Sequence, residues 1–268
     1  MKNQIRLEIS KDKERDSVRK VLSYSGAALL SLTIILSGCG SQTSPKNNDQ
    51  SSDVANPAVQ QVIAPVYKRA EIISSPDVAK QLLIDGNSRF VAGKPLSKDL
   101  SATRRTDLMK NGQHPFAVIV SCSDSRVPPE LLFDQALGDL FVIRVAGNVI
   151  TPVELGSVEY AVEHLKAPLV VVLGHEECGA VTAAVQGSVA HGNIAAITDK
   201  IKPAVDAAKA MGLTGKDLIE KSADINIQNA MKDISGSSIM KEGVESKQVK
   251  IIGAKYDQDE GALKLMND

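Results

Sequence analysis

The sequence carries no surplus of charge: 31 lysines and arginines stand against 32 aspartates and glutamates, a formal net charge of -1. That excludes the overall basic field on which nucleic-acid binding draws, and no nucleic-acid partner is expected. No internal repeat is present, which excludes a stacked-repeat architecture. Cysteine is scarce, with three in 268 residues, so each of them calls for a chemical reason. Apolar residues are not scarce: at 43% they suffice for one substantial globular domain, or two small ones, and exclude global disorder.

Charge is missing altogether from Val21 to Leu36 ("VLSYSGAALLSLTIIL"), which follows a polar, charge-rich stretch and runs into Leu36-Ser37-Gly38-Cys39. Charged, apolar and small residues in that order form a secretory signal. Small residues directly before a cysteine resemble the lipobox of bacterial lipoproteins, which implies cleavage before Cys39 and lipid on its sulfur. The alternative is an uncleaved anchor, for which the apolar run is slightly shorter than the ~20 residues that span a bilayer. Apolar residues are in turn almost absent from Gly40 to Pro57, which reads as a flexible tether. The expected organisation is a signal peptide over 1–38, lipidated Cys39 and tether over 39–70, and a folded domain over 71–268. The expected location is extracytoplasmic, lipid-anchored to a bacterial membrane on its periplasmic or cell-surface side.

Within that domain, Ser75-Pro76-Asp77 predicts a helix start, with the helix running through Gln81, Leu82 and Phe90 to Gly93. "FAVIVS" after Pro115, "LFVIRVAG" (Leu140 to Gly147), "PLVVVLG" (Pro168 to Gly174) and "VKIIGAKY" (Val249 to Tyr256) are short β-branched runs suited to buried strands. Between them, Thr151-Pro152-Val153-Glu154 is a capping box, followed by Leu155, Val158, Val162 and Leu165 at helical spacing. Asn193 to Met211 reads as a helix kinked or broken at Pro203, and Leu218 to Ile234 as another. Apolar strands alternating with amphipathic helices predict an α/β domain, a central and mainly parallel sheet flanked by helices.

In such sheets ligands bind beyond the carboxyl ends of the strands. Cys122 is expected just past the first strand, and His175 and Cys178 ("GHEECGA") just past the third, so all three are candidates for one crevice. Two thiolates and an imidazole are a zinc ligand set, and three protein ligands with an open fourth position is the catalytic arrangement. Asp124 and Arg126 share the Cys122 loop, and Gly174 and Gly179 bracket the second loop, where they are expected to let the backbone turn sharply and approach closely. The plainer readings are a structural disulfide between Cys122 and Cys178, a structural His175 and a surface salt bridge for Asp124 and Arg126. His114, His164 and His191 are read as structural.

"CSDSR" (Cys122 to Arg126), "RVAGN" (Arg144 to Asn148), "GHEECGA" (Gly174 to Ala180) and "GAKYDQDEG" (Gly253 to Gly261) occur in this order in β-class carbonic anhydrases, and from about Ala79 to Gly261 the chain resembles that family. The resemblance implies a zinc-dependent catalytic domain over 71–268, one Zn2+ per chain on Cys122, His175 and Cys178, and a homodimer or higher homo-oligomer. It implies reversible hydration of CO2 to bicarbonate and a proton by zinc-bound hydroxide. Asp124 and Arg126 match the family's dyad, in which the aspartate either pairs with the arginine or moves onto zinc as a fourth ligand. Gln135 matches a substrate-positioning glutamine of some members. Glu176 and Glu177 stand where Ser or Thr often follows the metal histidine, which leaves the ligands intact and alters the local hydrogen bonding. Two thiolates cancel the charge of Zn2+, so its water is expected to ionise above the value of about 7 reached with neutral ligands. The competing functions are a zinc hydrolase for a CO2-like molecule (carbon disulfide or carbonyl sulfide) and a non-enzymatic surface lipoprotein, zinc-binding or disulfide-stabilised.

Overall fold

The computed structural model describes residues 66–187 and 191–266, all within the unit Gln60–Asp268. The signal segment 1–38, Cys39 and residues 40–65 of the tether lie outside the described residues. Among the described residues no helix is long and apolar enough to cross a membrane.

The first helix, α1 (Pro76–Val91), starts where its cap residue predicts: the Ser75 hydroxyl accepts from Val78 N, and Pro76 fills the first turn, where its missing N–H costs nothing. Helix α2 (Ala102–Asn111) precedes β1 (Ala117–Ser121), and α3 (Pro129–Leu132) leads to β2 (Leu140–Arg144). A short 3-10 turn (Ala146–Asn148) and the capped helix α4 (Pro152–Glu163) follow, then β3 (Leu169–His175). Three helices, α5 (Gly179–Gln186), α6 (Ile194–Ala210) and α7 (Gly215–Ser235), stand between β3 and the helix α8 (Ser238–Glu245), and β4 (Lys250–Tyr256) and β5 (Leu263–Leu265) end the sheet.

The strand order is β2-β1-β3-β4-β5, with the first four parallel and β5 antiparallel to β4. This is the mainly parallel sheet expected. Because side chains alternate across a strand, Ile119, Val171 and Leu173 pack one face against Ala79, Leu83 and Leu132, while Val118, Val120, Val170 and Val172 pack the other against Val158, Ile227 and Met240. Both faces are covered, which is why these strands are continuous apolar runs. The edge strand β2 is only partly buried, and ends at Arg144, short of the expected Gly147, because Gly147 (φ +73) turns the chain into the 3-10 segment. Helix α6 runs through Pro203 without a break; Ile201, Ala204, Val205 and Ala208 are buried along it and hold the helix across the missing hydrogen bond.

Candidate metal centre

From β1 the chain passes outward to β2, and from β3 it passes the other way to β4, so the connections diverge at the carboxyl ends of the neighbouring strands β1 and β3. A crevice at such a switch point is where open α/β sheets bind ligands. Cys122 follows the last residue of β1, and His175 is itself the last residue of β3 rather than one beyond it, because its pairing with Tyr256 continues the β3–β4 ladder. Cys178 caps the N-terminus of α5. Residues remote in sequence thus meet because Ser121 is in register with Leu173, two positions before the histidine.

Cys122, His175 and Cys178 each offer a ligand atom, and these atoms lie within 4.8 Å of one another. All three residues are buried, and both cysteines are free thiols rather than a disulfide. The imidazole Nδ1 sits 2.7 Å from the Glu176 carbonyl oxygen, to which it donates as the protonated tautomer, while the buried Nε2 has no hydrogen-bond partner. An orphaned imidazole nitrogen beside two buried sulfurs is costly unless a cation engages all three, and a donor set of two sulfurs and one nitrogen is one that zinc takes up. The donors therefore fit zinc. The hydrogen bond from the Cys178 thiol, then His175 and the Gly147 N–H (3.3 Å from Sγ), pull the Cys122 thiol well below the ordinary thiol range; Cys178, donor of that pair, is pushed up.

Asp124 lies at the rim of this cluster. Its Oδ1 accepts from Arg126 Nε at 3.0 Å and its Oδ2 from Nη2 at 2.8 Å, with the Arg126 backbone N–H on Oδ1 at 2.9 Å. The arginine-paired arrangement of the dyad is the one seen, and Oδ2 stands 4.0 Å from His175 Nε2. Hydrogen bonds from Arg126 hold the Asp124 carboxyl at about 2, against the cost of partial burial, so it is an anion at any ordinary pH. Arg144, quoted above only as part of a motif, clamps the same loop: Nε donates to the Cys122 carbonyl at 3.0 Å and Nη2 to the Asp124 carbonyl at 2.6 Å.

The second loop turns differently from the expectation. Gly179 has an ordinary φ and open space where a Cβ would stand, so it makes no special turn. The left-handed residue is Glu177, at φ +51, a conformation costing an L-residue about 1–2 kcal/mol. Gly174 is needed for close approach: a Cβ there would come within 2.5 Å of Ile227 Cδ1. The hydrogen bonds that the two glutamates put in question are supplied from elsewhere. Glu176 N–H donates to the Tyr256 carbonyl, the Glu176 carbonyl accepts from Gln258 Nε2, and Glu177 N–H donates to Glu220 Oε1.

Gln135 is spent inside the fold. Its Nε2 donates to the Phe133 and Leu82 carbonyls, and its Oε1 accepts from the Tyr67 hydroxyl at 2.6 Å, so both amide protons are already used. Among the described residues, His114, His164 and His191 do not join the cluster.

A buried donor set of two thiols and an imidazole at the switch point of a parallel sheet defines an α/β protein with a candidate metal centre. A family model described as carbonic anhydrase matches residues 117–263. A carbonic anhydrase of Mycolicibacterium smegmatis is 41% identical over 196 residues, covering 72% of this chain and 94% of the relative, and carbonic anhydrase 2 of Mycobacterium tuberculosis is 39% identical over 197 residues, covering 72% and 93%. Among solved structures, the β-carbonic anhydrase CafA of Aspergillus fumigatus is similar with a TM-score of 0.56 and 28% identity, over 62% of this chain and 83% of that one. The chain belongs to the carbonic anhydrase family, in its β class, whose reaction is the hydration of CO2.

Proposed function

We propose that Cys122, His175 and Cys178 hold one zinc ion and that the protein uses it for the reversible hydration of CO2 to bicarbonate and a proton. The observation that carries this reading is the unpartnered, buried Nε2 of His175 facing two free thiols within 4.8 Å, in a chain of this family. Bound there, zinc supplies a Lewis acid that acidifies water into a nucleophile. The chain's own residues supply orientation. Asp124, kept ionised by its hydrogen bonds from Arg126, accepts a hydrogen bond from the attacking water and orients it. Arg126 holds that carboxylate with two parallel hydrogen bonds, and its own exposed side chain places the pair on the solvent side, where bicarbonate leaves and a proton passes to buffer.

The test is a zinc assay together with a CO2 hydration assay on three proteins. Wild type should carry about one zinc per chain and be inhibited by small anions competing for the open position. Cys122→Ser should lose the metal, whereas Asp124→Ala should keep it and lose turnover by roughly 10–100-fold, the range for groups that orient a metal's first ligands. Stoichiometric zinc in Cys122→Ser, or wild-type turnover in Asp124→Ala, overturns the assignment.

The same reading extends to assembly and place. Ile72, Val78 and Val91, exposed at and along α1, support a homodimer or higher homo-oligomer. The lipobox-like Leu36 to Cys39 supports lipid on Cys39 and an extracytoplasmic, membrane-tethered enzyme.

A further inference from the structure

Glu177 sits between His175 and Cys178 in a left-handed conformation that L-residues other than glycine seldom adopt. Both of its backbone polar groups are held by charged side chains. Its N–H donates to Glu220 Oε1 at 3.1 Å, and its carbonyl oxygen accepts from Arg126 Nη2 at 3.5 Å, the long limit of such a bond. Arg126 is the group that also holds Asp124. Glu220 comes from α7, and its second oxygen lies 2.7 Å from the Lys255 ammonium, an ion pair with both side chains largely shielded from solvent. Lys255 is fixed in turn by Asp224 Oδ1 at 2.9 Å, and stands on β4 in register with Gly174, the residue before His175.

These contacts form one continuous path, from Lys255 beside the histidine's strand, through Glu220, to the backbone that sets Cys178 and touches Arg126. We infer that Glu220 is a positioning residue of the centre: by accepting from Glu177 N–H while anchored on Lys255, it holds the left-handed turn that presents Cys178 and keeps Arg126 seated on Asp124. The inference rests on the zinc-centre reading given above.

The experiment uses the full-length protein as wild type, Glu220→Ala and Glu220→Gln. Exchange of the Glu177 amide hydrogen reads the contact itself and needs no zinc or activity; zinc affinity by chelator competition, kcat and KM read its consequences. Glu220→Ala should speed Glu177 amide exchange at least roughly 10-fold. It should also weaken zinc and lower kcat by roughly 10–100-fold with KM little changed. Glu220→Gln keeps an acceptor oxygen at the same place and should recover most of each loss. Unchanged Glu177 exchange and zinc affinity in Glu220→Ala overturns the inference, as does a Gln variant no better than Ala. Failure of wild type to bind zinc or hydrate CO2 would instead overturn the zinc reading, with the amide exchange still reporting on Glu220.

Discussion

Gly174→Ala puts a methyl group where there is no room for one. The new Cβ would lie 2.5 Å from Ile227 Cδ1 and 2.6 Å from its Cγ1, on a side chain with no exposed surface, so one strand or helix must give way. Overpacking of this kind costs about 1–3 kcal/mol. Alanine also stiffens the unfolded chain, which returns about 0.4–1 kcal/mol. At the middle of both ranges the net loss is about 1 kcal/mol, or roughly 2–4 °C of melting temperature for a domain of this size. Ile227→Ala alone opens a cavity and costs about 2–5 kcal/mol, but in the double variant the Gly174 methyl enters that cavity, so the pair should cost less than the sum by about 1 kcal/mol or more. Thermal and urea unfolding of the four proteins completes the cycle, and zinc affinity should fall in Gly174→Ala because the displaced strand carries His175. If Gly174→Ala melts within about 1 °C of wild type and the pair is additive to about 0.5 kcal/mol, the close-packing argument is wrong.

Acid should loosen a second place. Burial raises the pKa of Asp134, but Lys98, Arg89 and the Leu96 N–H more than offset it, so its folded pKa is lowered and the carboxylate pins α1 and the segment around Lys98 to the loop before β2. A depressed carboxyl contributes fully above its unfolded value of about 3.9 and loses that contribution as pH falls through the lower folded value. Stability of the wild type should therefore drop below about pH 4, and Asp134→Asn, which suits the left-handed backbone there (φ +50), should be less stable at pH 7 by about 2 kcal/mol with a flatter acid limb; an unchanged acid limb refutes it. At the N-terminus, metabolic labelling with a radioactive fatty acid should mark the wild type and not Cys39→Ala, and equal labelling of both removes the lipoprotein reading.

What could be read from the sequence were features with a local cause. Ser75-Pro76 and the Thr151 capping box set the starts of α1 and α4, and the apolar runs mark β1, β3 and β4 to within about a residue, because both faces of those strands are buried. Cys122, His175 and Cys178 are legible as a group because carboxyl ends of parallel strands share an edge. Nothing local marks β5, three residues long and antiparallel, and α2 buries no residue, so that its Ser101 cap stands without an apolar stripe to read beside it. Local sequence points to Gly179 for the turn that Glu177 makes, because what stabilises it, Glu220, arrives from a helix far along the chain. Gln135 reads as available to substrate because the sequence does not show Tyr67, Leu82 and Phe133 converging on it.

The fold class explains why so few strands suffice for so complete a centre. In a parallel sheet every strand delivers its carboxyl end to the same edge, whereas an antiparallel sheet sends alternate ends away. Here all four parallel strands use that edge: Cys122 follows β1, Arg144 from β2 clamps the carbonyls of Cys122 and Asp124, β3 ends in His175, and β4 contributes Lys255 and the Tyr256 carbonyl that takes Glu176 N–H. Cys122 and Cys178 also sit in a small core of their own, with Val149, Val181, Ile201, Val205 and Ala223, separate from the two cores that hold the sheet faces. Substitutions beneath α5 and α6 can therefore disturb the two cysteines while the sheet stays folded, whereas α7 serves both, with Ala223 in the small core and Ile227, Ala230 and Ile234 on the sheet face; those beneath α1 or α4 reach the cysteines only by moving a strand.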